Sequence, residues 1–216
     1  MIFVFICLFL VDCIIHLYAS MKKNRKLRNV SKVFILPLLI AIYITSTNTI
    51  IFPLLMALIL SWFGDLFLIL RGHLFFSFGG ISFGLAHICF MITYYPYIHI
   101  EGIKVIIVCV VALLYLAYVI YYFKQLIKYI PKYLIIPMIM YLLSNASMNC
   151  FALALFISNP SLITSLVYLG ALLFFISDCN LFRVRFKVEE IQQNHFIVMF
   201  TYIIAELLIV IGIVNI

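Results

Sequence analysis

Residues 1–32 read MIFVFICLFLVDCIIHLYASMKKNRKLRNVSK, and this stretch decides the class of protein. An apolar run over 1–20 is followed by Lys22, Lys23, Arg25, Lys26, Arg28 and Lys32. A secretory signal has the reverse order, with positive charge ahead of the apolar part. The run therefore reads as a retained span, since about 20 mostly apolar residues cross a bilayer. The rest of the chain repeats the pattern. Of 216 residues, 68% are hydrophobic and 10% charged, and the mean hydropathy is +1.29. A soluble domain carries roughly 45–50% apolar and about 25% charged residues. The 14 Lys and Arg and 7 Asp and Glu here cannot cover the surface of one. A soluble enzyme, a disordered chain and a disulfide-stapled secreted module are all excluded.

Eight apolar segments can be marked, at about 1–20, 33–48, 50–70, 74–95, 103–123, 133–157, 161–182 and 195–215. The second is short and ends in the polar run Thr45-Ser46-Thr47-Asn48-Thr49. Only 21–32, 124–132 and 183–194 are long enough to be loops, and no linker divides the chain. The expectation is one all-α integral membrane domain over 1–216, a multi-pass bundle of about eight helices. Lys and Arg concentrate in cytoplasmic connections. Here 13 of the 14 fall in odd-numbered connections: the six after the first span, then Arg71, Lys124, Lys128, Lys132, Arg183, Arg185 and Lys187. Only Lys104 falls on the other side, so both termini are expected on the non-cytoplasmic face. The +7 net charge is thereby assigned to topology, and no nucleic-acid partner is expected. The six cysteines lie in apolar stretches without a CxxC pair, which indicates neither a metal site nor a disulfide framework. They read as small hydrophobes.

Ionisable groups inside spans are costly and mark candidate sites. Asp65 lies in the third span, His87 in the fourth, Asp178 in the seventh and Glu206 in the eighth. Asp12 reads as a boundary residue and His16 as one that snorkels to the basic loop. Gly80 and Gly84 have the small-xxx-small spacing that lets a neighbouring backbone approach. Asp65 precedes Arg71 by six residues and Asp178 precedes Arg183 by five, about 9 and 7.5 Å at the helical rise. The two carboxylates thus sit at nearly one level. Tyr141 and Tyr202 fall roughly 10–14 Å deep from the same face, and Lys32 stands at its mouth. A polar pocket open to the cytoplasmic leaflet would gather them. Most of the 21 Phe and 14 Tyr are expected toward lipid and the interfaces.

The pieces around these residues are Ser61-Trp-Phe-Gly-Asp65-Leu-Phe-Leu, Gly79-x-x-x-Phe83-x-x-x-His87 and Gly170-Ala-Leu-Leu-Phe-Phe-Ile-Ser177-Asp178, followed by Arg185-Phe186. Lys32 with Pro37, Tyr141, and Tyr202-Ile-Ile-Ala205-Glu206 complete the set. In order and spacing the chain resembles the YhhN-like family of lysoplasmalogenases, eight-span membrane hydrolases. The family usually has Gln where this chain has Glu206, which adds an acid here. The resemblance implies an ether-bond hydrolase that cleaves the sn-1 vinyl ether of a lysoplasmalogen. The products are a fatty aldehyde and glycerophosphoethanolamine or glycerophosphocholine.

That chemistry suits two carboxyl groups. A vinyl ether is cleaved by protonation of its β-carbon, and water attacks the oxocarbenium ion that results. One carboxyl group must bring the proton and a second must face the cation as a carboxylate, the division of labour of glycosidases. Asp65 and Asp178 are the expected pair, in either order. His87, Tyr141, Tyr202 and Glu206 would bind or orient substrate and water. Lys32, with Arg71 or Arg185, would hold the phosphate. No cofactor is expected; the partners are a lysophospholipid and the bilayer, in a bacterial plasma membrane or a eukaryotic internal one. Three other readings stand beside this one. An intramembrane aspartyl protease uses a GxGD motif, but Trp62-Phe63-Gly64-Asp65 lacks the first glycine. A metal hydrolase would use Asp65, His87 and Asp178 as ligands. A proton-coupled transporter would use the same buried acids, without the repeat and broken helices such proteins carry.

Overall fold

The structure is a computed structural model and describes residues 2–186 and 195–216. Among these residues there are no strands, and eight helices are long and apolar enough to cross a membrane. In lipid a backbone must satisfy its own polar groups, which leaves the helix as the element such a sequence can form. In chain order they are α1 (Ile2–Met21), α2 (Arg25–Ser46), α3 (Phe52–Ile69), α4 (His73–Tyr94), α5 (Ile103–Leu126), α6 (Lys132–Ser158), α7 (Leu162–Phe186) and α8 (His195–Val214). A short 3-10 turn, Tyr95–Tyr97, follows α4. Lys187 and the rest of 187–194 lie outside the described residues.

The expected basic loop over 21–32 is corrected. Only Lys22–Asn24 connect the first two helices, and Lys23 takes a left-handed turn at φ 57°. Asn24 then caps α2, its Oδ1 accepting from the Leu27 N–H at 3.2 Å. Arg25, Lys26, Arg28 and Lys32 therefore ride on the first two turns of a helix. Long cationic side chains can lie along apolar surface with their charged ends free, so their density concealed a helix start. In the same way α7 runs on to Phe186, past the expected end at 182.

Three antiparallel pairs, α1 with α2, α3 with α4 and α7 with α8, pack most closely, and α6 joins α4 to α7. The close approaches do not occur at Gly80 and Gly84. A Cβ on Gly80 would meet nothing within 4 Å, and one on Gly84 only the Ser144 hydroxyl at 3.8 Å. They occur at Gly79, whose Cβ would come within 3.3 Å of the Gly64 carbonyl, and at Gly170, whose Cβ would come within 2.9 Å of the Ala205 carbonyl. Gly212 packs in the same way against α7. Side-chain donors also tie neighbouring backbones together. Trp62 Nε1 donates to the Val33 carbonyl at 2.9 Å, Ser82 Oγ to Leu60 at 2.6 Å and Ser177 Oγ to Val198 at 2.8 Å. These bonds fix the rotation of α3 and α7, and so the direction in which Asp65 and Asp178 point. Helix α5 lies outermost, packs on α6 and buries few of its residues, and the Tyr122 hydroxyl donates to the Cys179 carbonyl of α7.

Candidate active site

Asp65, next to the Trp62 anchor on α3, is 2% exposed. Its Oδ1 pairs with Lys32 Nζ of α2 at 2.9 Å, and its Oδ2 accepts from the Tyr202 hydroxyl of α8 at 3.0 Å. The first two turns of α2, expected as a loop, are what bring Lys32 to this carboxylate. Lys32 thus lies deeper than a residue at the mouth.

Asp178, next to the Ser177 anchor on α7, is 4% exposed and has different neighbours. Asn145 Nδ2 donates to its Oδ2 at 2.5 Å. Behind it, Asn149 Nδ2 donates to Asn145 Oδ1 at 2.9 Å, and the Tyr115 hydroxyl donates to Asn149 Oδ1 at 3.1 Å. The sequence reading missed Asn145 and Asn149. The available signal was two amides four residues apart in an apolar span, which is one face of a helix. His87 Nε2 lies 3.9 Å from Asp178 Oδ2, beyond hydrogen-bond range, while Nδ1 lies 3.1 Å from Ser144 Oγ. The Ser144 hydroxyl donates to the Tyr141 carbonyl at 2.7 Å, so its oxygen receives the His87 Nδ1–H. A neutral His87 therefore turns a bare Nε2 toward Asp178. The Tyr141 hydroxyl faces Asp178 too, without a well-formed hydrogen bond.

Asp65, Asp178, Lys32 and Tyr202 line one cavity of about 370 Å³. Arg25, Arg28, Arg71 and Arg185 line it as well, with His16 and His195. Arg185 donates to the Gly72 carbonyl at 3.2 Å and lies over the Phe76 ring. Among the described residues no carboxylate pairs with Arg25, Arg28 or Arg71. His16 is buried and meets Ser31 Oγ at 2.9 Å, so it does not snorkel.

His87, Tyr141 and Glu206 lie outside that cavity. His87 and Tyr141 pack ring to ring at 5.3 Å, and Phe174 touches both His87 and Tyr202 edge-on at 5.1 and 5.4 Å. Part of the aromatic content expected toward lipid thus encloses the two acids instead. Glu206 is fully buried beside Ser61 and Tyr202, with neither oxygen hydrogen-bonded. Among the described residues no three His, Cys, Asp or Glu are gathered to hold a metal ion.

No GxSxG serine elbow was expected from the sequence, and that is corrected, since Gly80-Ile81-Ser82-Phe83-Gly84 spells it. That motif acts from a sharp strand-to-helix turn. Here it lies within α4, and the Ser82 hydroxyl is committed to the Leu60 carbonyl. Ser82 thus ties α4 to α3.

No curated protein and no solved structure matches the chain. The YhhN family model matches residues 27–213, from the first turn of α2 to the last of α8, and takes in both acids and each of their partners. The chain belongs to the YhhN family.

Proposed function

We propose that the protein hydrolyses the sn-1 vinyl ether of a lysoplasmalogen to a fatty aldehyde and a glycerophosphoethanolamine or glycerophosphocholine. The observation that carries this reading is one cavity holding two buried carboxyl groups in unlike settings, under a mouth of arginines. Asp65 faces an ammonium and a phenol, partners suited to a carboxylate. Among the described residues the groups closest to Asp178 are an amide, a phenol and the bare Nε2 of His87, with no cation paired to it as Lys32 is to Asp65.

In this reading Asp178 gives its proton to the β-carbon of the vinyl ether, and the double-bond electrons form the new C–H bond. The α-carbon and ether oxygen share the positive charge, which Asp65 stabilises as a carboxylate. Water adds to the α-carbon and its released proton returns to Asp178. The hemiacetal then breaks its C–O bond to give the aldehyde and the glycerol hydroxyl. Atoms and charge balance without a cofactor. Asn145 positions Asp178, and Tyr202 positions Asp65. Because Lys32 is engaged with Asp65, the phosphate falls to Arg25, Arg28 and Arg71, whose planar forks suit it.

The test is release of fatty aldehyde from lysoplasmenylethanolamine by the purified protein in detergent, with Asp65→Asn, Asp178→Asn and a chelator control. Aldehyde from wild type, from neither variant, and unaffected by chelator is the expected result. Loss with chelator alone would replace acid catalysis by a metal site. No aldehyde from folded wild type would overturn the reaction and bring the transporter reading forward.

A further inference from the structure

A second cavity of about 350 Å³ lies between α4 and α6 and is almost wholly apolar. Gly80, Gly84 and Ile88 form one wall and Leu134, Met138 and Ser144 the other. From Leu134 to Ser144 it runs about 15 Å along α6, from the basic end toward the middle of the bundle. Leu68, Phe76, Phe83 and Leu181 line both this groove and the cavity that holds Asp65 and Asp178. The two are therefore neighbouring compartments with a common wall, one cationic and one apolar. Tyr141 stands at the junction, lining the groove while its ring packs on His87 and its hydroxyl faces Asp178. Ile81, Leu85 and Ile88 on the outer rim are exposed, so the groove opens sideways toward lipid.

We infer that the α4–α6 groove holds the alkenyl chain of the substrate, which enters from the bilayer, and that Gly80 sets how bulky or long a chain it accepts. This rests on the lipid-hydrolase reading. A single-chain lipid with a phosphate in its head has the same two-part chemistry as the paired cavities, the phosphate suiting the arginines and the chain the apolar groove. Its vinyl ether lies between head and chain, which is where the compartments meet beside Tyr141 and Asp178. The glycine supplies the second argument. A glycine inside a helix weakens it, and Gly64, Gly79, Gly170 and Gly212 each have a close neighbour that explains them. Gly80 has none: a Cβ there would meet nothing within 4 Å, and the residue lines the groove. The room it leaves serves a ligand and not a helix contact.

The test has two arms. A long-chain saturated alkyl lysophosphoethanolamine with a photoreactive group near the chain end is irradiated with wild-type protein, and the labelled peptides are mapped. Label is expected within 80–88 and 134–144, and unlabelled lipid of the same kind should remove it. In the second arm Gly80→Leu is compared with Gly80→Ala on short- and long-chain alkenyl substrates. The ratio of long- to short-chain turnover should fall about tenfold with leucine, as if one to two methylenes had lost their contacts, and less with alanine. Label elsewhere, label that unlabelled lipid does not displace, or an unchanged ratio in folded Gly80→Leu protein would overturn the inference. If wild type releases no aldehyde from any alkenyl lipid, the reaction reading falls and the label map alone decides the groove.

Discussion

Lys32 and Asp65 make a nearly buried ion pair, with side-chain exposures of 14% and 2%. Removing one member of such a pair leaves a charge without compensation, which is far costlier than removing both. Lys32→Met should therefore lower stability by about 3 kcal/mol, whereas Lys32→Met with Asp65→Asn should recover most of it. Thermal unfolding in detergent measures both, and aldehyde release should be lost in each. If the double variant is no more stable than the single, the pair is not what holds α2 against α3. At Asp178 the expected loss is in rate. A general acid contributes typically 10²–10⁴-fold, so Asp178→Asn should cut turnover by about a thousandfold. Both residues were legible in the sequence because an acid in an apolar run stands out whatever surrounds it. Their partners were not. Lys32 was expected at the mouth beside phosphate, and Asn145 was missed, because neutral amides carry no charge signal and a lysine's reach depends on where its helix starts.

Among the elements, the helix contacts separate two kinds of glycine. A methyl group at Gly170 would press on the Ala205 carbonyl at 2.9 Å and on Ile209, so Gly170→Ala must push α7 from α8. Overpacking of this kind costs typically 1–3 kcal/mol. Gly80→Ala meets no atom and gains helix propensity, up to about 1 kcal/mol. Thermal unfolding should thus move in opposite directions for the two variants, and a matching loss at Gly80 would mean that α4 has a neighbour there. Sequence spacing favoured Gly80 and Gly84 for close packing, and the structure favours Gly79 with Gly64. A shift of one residue turns a helix face by about 100°, and small-residue spacing alone does not say which face meets a neighbour.

For the whole molecule, the arginine-lined mouth and the start of the apolar groove lie at the same end of the bundle, where the expected topology puts the cytoplasm. Asn48, in the connection between α2 and α3, belongs to the opposite end. An impermeant thiol reagent applied to intact cells should label Asn48→Cys and spare Lys128→Cys, with all six native cysteines in helices as a low background. Labelling of Lys128→Cys alone would invert the bundle and turn its basic mouth outward. The sequence by itself determined the helical class and the number of spans, because hydropathy acts along the chain. Tertiary structure decided which residues face one another: Lys32 with Asp65, Asn145 and His87 with Asp178, and an apolar groove beside them. In a membrane bundle both the core-facing and the lipid-facing sides of a helix are apolar. The hydrophobic pattern that reveals the buried face of a soluble helix is then nearly absent, and packing and a few side-chain hydrogen bonds set the rotation.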